Sequence, residues 1–93
     1  MSNQEIKKYI TNFLKEKGVL KASIFGSFAR GDNTEGSDID LIIQLSGDKN
    51  LFDLAEIKVE LEEKFHKKVD VLTYSSINPH IKEEILKDQE VLF

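Results

Sequence analysis

Three aspartates have types and spacing that suit metal-dependent chemistry. Asp38 and Asp40 stand two residues apart at the start of an apolar segment, and Asp70 lies one residue into a second one. Residues i and i+2 of a strand point to the same face, about 6.6 Å apart along the chain, where two carboxylates repel each other without a counter-charge. Hard oxygen ligands with no adjacent His or Cys favour Mg²⁺ or Mn²⁺ over zinc. The pattern predicts a metal site at Asp38, Asp40 and Asp70, although an isolated Asp-x-Asp is more often simply solvated.

A glycine and a serine precede these aspartates in a pattern typical of phosphate binding. Gly26 and Ser27 follow an apolar segment, and Arg30 lies three residues beyond Ser27. A glycine lets the backbone approach a ligand closely, helix-start amides and a hydroxyl can hold phosphate oxygens, and arginine binds phosphate bidentately. A plain Gly-Ser turn is the alternative. The chain has neither a Gly-Lys-Ser/Thr phosphate loop nor a Gly-x-Gly-x-x-Gly dinucleotide motif.

Hydrophobic periodicity predicts the elements that must position these residues. Helices are expected at 2–17, at 51–66 and from Pro79 onward, strands at 19–25, 38–45 and 69–74, and one helical turn in the loop 26–37. Leu51 belongs to the apolar stripe of the second helix, and Ile81 and Ile85 to the inner face of the last. We expect Val91, Leu92 and Phe93 to return to the core.

The order strand 38–45, helix 51–66, strand 69–74 predicts a right-handed crossover between parallel strands. Parallel pairing brings the starts of both strands to one edge of the sheet, so all three aspartates should meet there. The predicted fold class is α/β (α+β), with a mixed sheet of three to four strands flanked by about four helices.

Composition restricts the class of protein. Ninety-three residues with 40% hydrophobic and 32% charged side chains predict one globular domain spanning 1–93. The absence of cysteine excludes disulfides, zinc–thiolate sites and a cysteine nucleophile. A net charge of −4 argues against direct nucleic-acid binding. No signal sequence or membrane-spanning run is visible, so we expect a cytoplasmic protein with no membrane partner.

The two motifs together resemble a known family. Gly26-Ser27-Phe28-Ala29-Arg30-Gly31, then Ser37-Asp38-Ile39-Asp40-Leu41, is similar to the signature of minimal nucleotidyltransferase (MNT) domains in the polymerase-beta-like nucleotidyltransferase superfamily. Ten residues separate Ser27 from Asp38, and the third carboxylate of the family maps to Asp70 in Val69-Asp70-Val71. The motif shows no departure from the family pattern.

The resemblance implies transfer of a nucleoside monophosphate from an NTP to a hydroxyl, with pyrophosphate leaving. It implies that Asp38 and Asp40 hold two Mg²⁺ ions (Mn²⁺ as an alternative) and that Asp70 completes the site near the nucleophile and accepts its proton. Gly26 and Ser27 would grip the β- and γ-phosphates, and Arg30 would steady a phosphate or the acceptor. ATP is the expected substrate.

Because 23 residues follow Asp70 in this sequence, we expect no appended acceptor-binding domain. We therefore expect a second chain to complete the acceptor site. The resemblance implies a small helical HEPN-type toxin as partner in a hetero-oligomer, with this chain as the antitoxin that adenylylates one of its tyrosines.

Two other readings remain open on the sequence. The chain could be a binding-only antitoxin that masks its partner, with a vestigial or regulatory nucleotide site. It could instead modify small molecules, as aminoglycoside nucleotidyltransferases do, although the missing acceptor domain argues against this. Outside the motifs, the basic run Lys64, Lys67 and Lys68 is interpreted as the solvated end of a helix, and Tyr74 as a packing residue.

Overall fold

The computed structural model describes all residues, 1–93. In chain order the elements are α1 (Asn3–Glu16), β1 (Val19–Phe25), α2 (Ser27–Arg30), β2 (Ile39–Leu45), α3 (Leu51–Phe65), β3 (Val69–Thr73), a 3₁₀ turn (Tyr74–Ser76), α4 (Pro79–Lys87) and β4 (Glu90–Val91). The predicted fold class is confirmed, with four α-helices and a four-stranded mixed sheet. No helix is long and apolar enough to cross a membrane.

The sheet has the strand order β3-β2-β1-β4. β2 pairs parallel to β3, whereas β1 pairs antiparallel to both β2 and β4. The predicted crossover through α3 is therefore present. Its register places Asp40 directly opposite Asp70, and the β1–β2 register places Phe25 opposite Asp40 on the other side.

One face of the sheet is covered by α1 and α3. The buried side chains of this layer form a single cluster: Ile6, Ile10, Leu14, Val19, Ala22, Ile24, Phe28, Ile39, Leu41, Ile43, Ile57, Leu61 and Val69. The two helices also contact each other through Tyr9 and Phe65, whose rings pack edge to face with their centroids 5.4 Å apart. Capping boxes at Ser2 and Asn50 satisfy backbone amides in the first turn of each helix. This layer fixes the strands that carry the aspartates.

The opposite face of the sheet carries polar groups. Alternation along β2 places Asp40 and Ile42 on this face, away from the main cluster. Ser23, which pairs with Ile42, is fully buried, and its hydroxyl lies 2.9 Å from the Tyr74 hydroxyl. Lys21 lies over the Tyr74 ring at 4.9 Å. Tyr74 therefore packs on the sheet, as predicted, beyond the edge that holds the carboxylates.

Three details of the packing prediction are wrong. Ile81 is 47% exposed and α4 has no buried residue, because this short helix makes little contact with the sheet. Leu51 is exposed at the first turn of α3, where the helix projects beyond the core. Val91 is exposed as well, although Leu92 and Phe93 do pack on the core. Pairing with Ser23 turns Val91 toward the polar face of the sheet, which α1 and α3 do not cover.

Candidate active site

Asp40 and Asp70 face each other at the start of two parallel strands. Both side chains are half-buried, and no helix of the main core layer covers them. Burial raises the pKa of the Asp40 carboxyl above its ordinary value, and the negative charges of Asp70 and Asp38 raise it further. Two acids so close together in a partly desolvated position attract a proton or a cation. The electrostatics of this edge therefore suit a positively charged ligand.

Asp38 lies just outside the predicted strand. β2 begins at Ile39, so Asp38 is an exposed residue of the preceding loop, close enough for its charge to act on Asp40. No three His, Cys, Asp or Glu side chains are arranged closely enough to hold one metal ion. The structure thus brings Asp38, Asp40 and Asp70 to one edge without orienting all three on one point. As a donor set, three carboxylates fit Mg²⁺ or Mn²⁺.

Gly26 lies against the side chain of Asp40. Its backbone has φ 73° and ψ −148°, a conformation that only glycine adopts easily. A Cβ built on Gly26 would lie 2.6 Å from Asp40 Oδ2. The absence of a side chain is therefore required by both the turn and the carboxylate. Ser27, directly after this turn, is the first residue of α2, so the helical turn predicted in this loop is present.

Arg30 ends α2 at the rim of this region. Its side chain is 48% exposed, with Nε 3.2 Å from Asp32 Oδ2 and a terminal nitrogen 4.0 Å from Asp88 Oδ2. Ion pairs as exposed as these contribute little to stability. Arg30 thus carries a positive charge on the helical turn that follows Gly26 and is free to exchange its partners.

The loop between Arg30 and Asp38 is tied to the core at two points. The amides of Asn3 and Asn33 exchange two hydrogen bonds, of 2.7 and 3.0 Å, which join the loop to α1. Lys67 Nζ donates to the Glu35 carbonyl from the turn before β3. Ser37 Oγ accepts from the Thr34 amide at 2.8 Å inside the loop. These contacts hold a loop that has no regular secondary structure, and this loop places Asp38 near Asp40.

Lys68 is a charged residue of the site that the sequence prediction missed. Its Nζ lies 3.8 Å from Asp70 Oδ1, and its positive charge opposes the rise in the Asp40 pKa. No other basic side chain forms an ion pair with any of the three aspartates. The signal was its position two residues before Asp70, since side chains at i and i+2 of extended backbone point to the same side.

The raised pKa of Asp40 predicts a cost in stability at neutral pH. A carboxyl with a raised pKa binds its proton more tightly when folded, so stability falls as pH rises from the ordinary aspartate pKa through the folded one. In EDTA, we therefore expect Asp40→Asn to unfold at higher urea than the wild type at pH 7, with the gap closing near pH 4. Glu63→Gln, on the exposed side of α3, makes the same charge change and should show no such gap. An Asp40→Asn variant less stable than wild type at pH 7 would contradict this.

Comparison with known proteins places this geometry in a family. The family described as polymerase beta, nucleotidyltransferase matches residues 4–93. A candidate protein adenylyltransferase of Methanocaldococcus jannaschii is 49% identical over 88 residues, which cover 95% of each protein. Protein adenylyltransferase MntA of Thermococcus cleftensis is 29% identical over 89 residues, which cover 91% of this chain and 90% of MntA.

Solved structures agree in fold. A candidate minimal nucleotidyltransferase superposes with a TM-score of 0.81 at 26% identity, over 97% of this chain and 95% of the other. A chain from the complex of tri-AMPylated Shewanella oneidensis HEPN toxin with MNT antitoxin gives 0.78 at 16% identity, over 99% of this chain and 72% of the other. The chain belongs to the polymerase beta nucleotidyltransferase family, as a domain of the minimal nucleotidyltransferase type.

Proposed function

We propose that this chain transfers AMP from ATP to a hydroxyl group of a partner protein. The observation that carries the proposal is the Asp40–Asp70 pair across parallel strands, with Gly26 in contact with Asp40 and Asp38 adjacent. This is an acidic edge beside a glycine turn, in a chain of a nucleotidyltransferase family. The nucleophile is a hydroxyl, and the bond that breaks joins the α-phosphorus to pyrophosphate.

Each residue has a role in this proposal. Asp38 and Asp40 would hold Mg²⁺ or Mn²⁺, which would supply positive charge against the negative charge of the reacting phosphate. Asp70, paired with Asp40 on the neighbouring strand, faces the acceptor and takes the proton of its hydroxyl. Gly26 and Ser27 bind the β- and γ-phosphates through the backbone and the hydroxyl. Arg30 exchanges Asp32 for a phosphate oxygen. Positioning and charge neutralisation supply most of the catalysis in such reactions.

The proposed acceptor is a tyrosine on a small helical HEPN-type toxin, with this chain as its antitoxin. Relatives with 49% and 29% identity carry the name protein adenylyltransferase. A structural neighbour is a complex between an AMPylated HEPN toxin and an MNT antitoxin. Both observations favour a protein acceptor over a small molecule.

The test is transfer of label from α-³²P-ATP with Mg²⁺ into proteins of the native host lysate. We expect one labelled small protein, with the label absent when Asp38→Asn replaces the wild type and when γ-³²P-ATP replaces the α-labelled substrate. Tyrosine as acceptor predicts a label that is stable to hydroxylamine and lies on tyrosine by mass spectrometry.

Absence of label with all four NTPs would contradict the enzyme proposal. If the wild type and the Asp38→Asn variant then co-purified with the same partner, masking of that partner would be the better account. Label on a small molecule rather than a protein would instead identify the chain as a small-molecule nucleotidyltransferase.

A further inference from the structure

Lys68 and the three aspartates lie together where β2 and β3 begin. The first pair of the ladder is Ile39 with Val69, and the Ile39 amide donates to the Lys68 carbonyl at 2.9 Å. Asp38 and Lys68 each lie one residue before their strand, next to this first pair. Lys68 therefore lies beside the acidic edge, two residues before Asp70.

The side chain of Lys68 is anchored at its base and free at its tip. The hydrogen bond from Ile39 fixes its backbone, whereas its side chain is 62% exposed and touches Asp70 at 3.8 Å. A single exposed ion pair at that distance is weak and can be exchanged for another anion. A lysine ammonium is a mobile point charge that also binds phosphate oxygens.

We propose that Lys68 makes metal binding conditional on nucleotide binding, an inference that rests on the proposed function. Without nucleotide, the ammonium compensates the aspartates and competes with a divalent cation for them. A bound triphosphate offers Lys68 a stronger partner, and the aspartates are released to the metal ion. Lys68 is thus a positioning residue that couples the two ligands.

The test measures Mn²⁺ affinity by electron paramagnetic resonance, with and without saturating α,β-methylene-ATP, which cannot transfer AMP. Removal of one charge 3.8 Å from the Asp70 carboxylate predicts that Lys68→Gln binds Mn²⁺ roughly three- to tenfold more tightly without nucleotide. With the analogue bound, the wild type and the variant should bind Mn²⁺ equally. By reciprocity, bound Mn²⁺ should raise the affinity for the analogue in both proteins by factors that differ by the same three- to tenfold, with the smaller factor in Lys68→Gln.

Two variants serve as controls. Lys68→Arg keeps the charge and should behave like the wild type. Lys8→Gln makes the same change in net charge on an exposed position of α1 and should leave both affinities unchanged.

Three results would overturn the inference. One is an unchanged Mn²⁺ affinity of Lys68→Gln in the absence of nucleotide. Another is an equal gain with and without the analogue, which would make Lys68 a fixed source of repulsion with no link to nucleotide. The third is a wild type that binds no Mn²⁺ in either state. Any of these results with a wild type that still transfers label would count against the role of Lys68 alone, whereas a wild type that transfers no label would count against the proposed function.

Discussion

Asp40→Asn is expected to lower the rate of AMP transfer at least a thousandfold. Asp40 is the aspartate in contact with both other parts of the site, with Asp70 opposite it and Gly26 against its Oδ2. An amide keeps the shape of the side chain and removes the charge that holds a metal ion. Electrostatic stabilisation worth several kcal/mol is then lost from the transition state, and about 4 kcal/mol corresponds to a thousandfold in rate.

The measurement is single-turnover transfer from α-³²P-ATP to the purified acceptor. Asp48→Asn is the matched control, because it makes the same chemical change in the turn at the other end of β2, and it should retain full activity. Since the variant at Asp40 is expected to be the more stable protein at pH 7, its inactivity would not be attributable to unfolding. Activity of Asp40→Asn within tenfold of the wild type would remove Asp40 from the site.

Gly26→Ala is the second change with a large expected effect, and it should lower both stability and activity. The backbone conformation of Gly26 costs a residue with a Cβ about 1–3 kcal/mol. The new methyl group would also lie 2.6 Å from Asp40 Oδ2 and must displace that carboxylate. Displacement of a reacting group by about 1 Å can cost a hundredfold in rate, so we expect a loss of about that size in transfer by the folded variant.

Urea denaturation and transfer assays separate the two effects. Gly18→Ala is the control for backbone strain, since Gly18 has φ 81° and an added Cβ would meet only the flexible end of Lys49, at 3.2 Å. This control should lose stability and keep its activity at a temperature where it is folded. If the two alanine variants lost activity to the same extent, contact with Asp40 would have no specific role.

The sequence predicted the parts of the fold that local patterns determine. The predicted strand 19–25 coincides with β1, and the stripe of α1 does bury Ile10 and Leu14. The parallel pairing of β2 and β3 followed from the order strand, helix, strand, since a helical crossover usually joins parallel strands. Hydrophobic periodicity and this order were enough to predict that Asp40 and Asp70 meet.

The features that were missed depend on distant contacts. β4 has two residues, too few for a periodic signal, and exists because Glu90 and Val91 meet β1. An apolar spacing in α4 could not show that its Ile81 would find little to pack against. Lys68 looked like one lysine in a basic run, and only its ion pair with Asp70 shows that its charge belongs to the acidic edge. The roles of all candidate site residues remain predictions that the experiments above test.

The parallel register between β2 and β3 has a consequence for changes in chain length. Side chains alternate between the two faces of a strand, so one residue inserted between Lys68 and Val69 would turn Asp70 toward α3 and present Val69 to the site instead. The turn at 46–50 joins β2 to α3 at the far end of the sheet, where extra residues leave the Asp40–Asp70 pairing intact. Insertions and deletions should therefore accumulate at that turn among functional variants and be absent between Lys68 and Asp70.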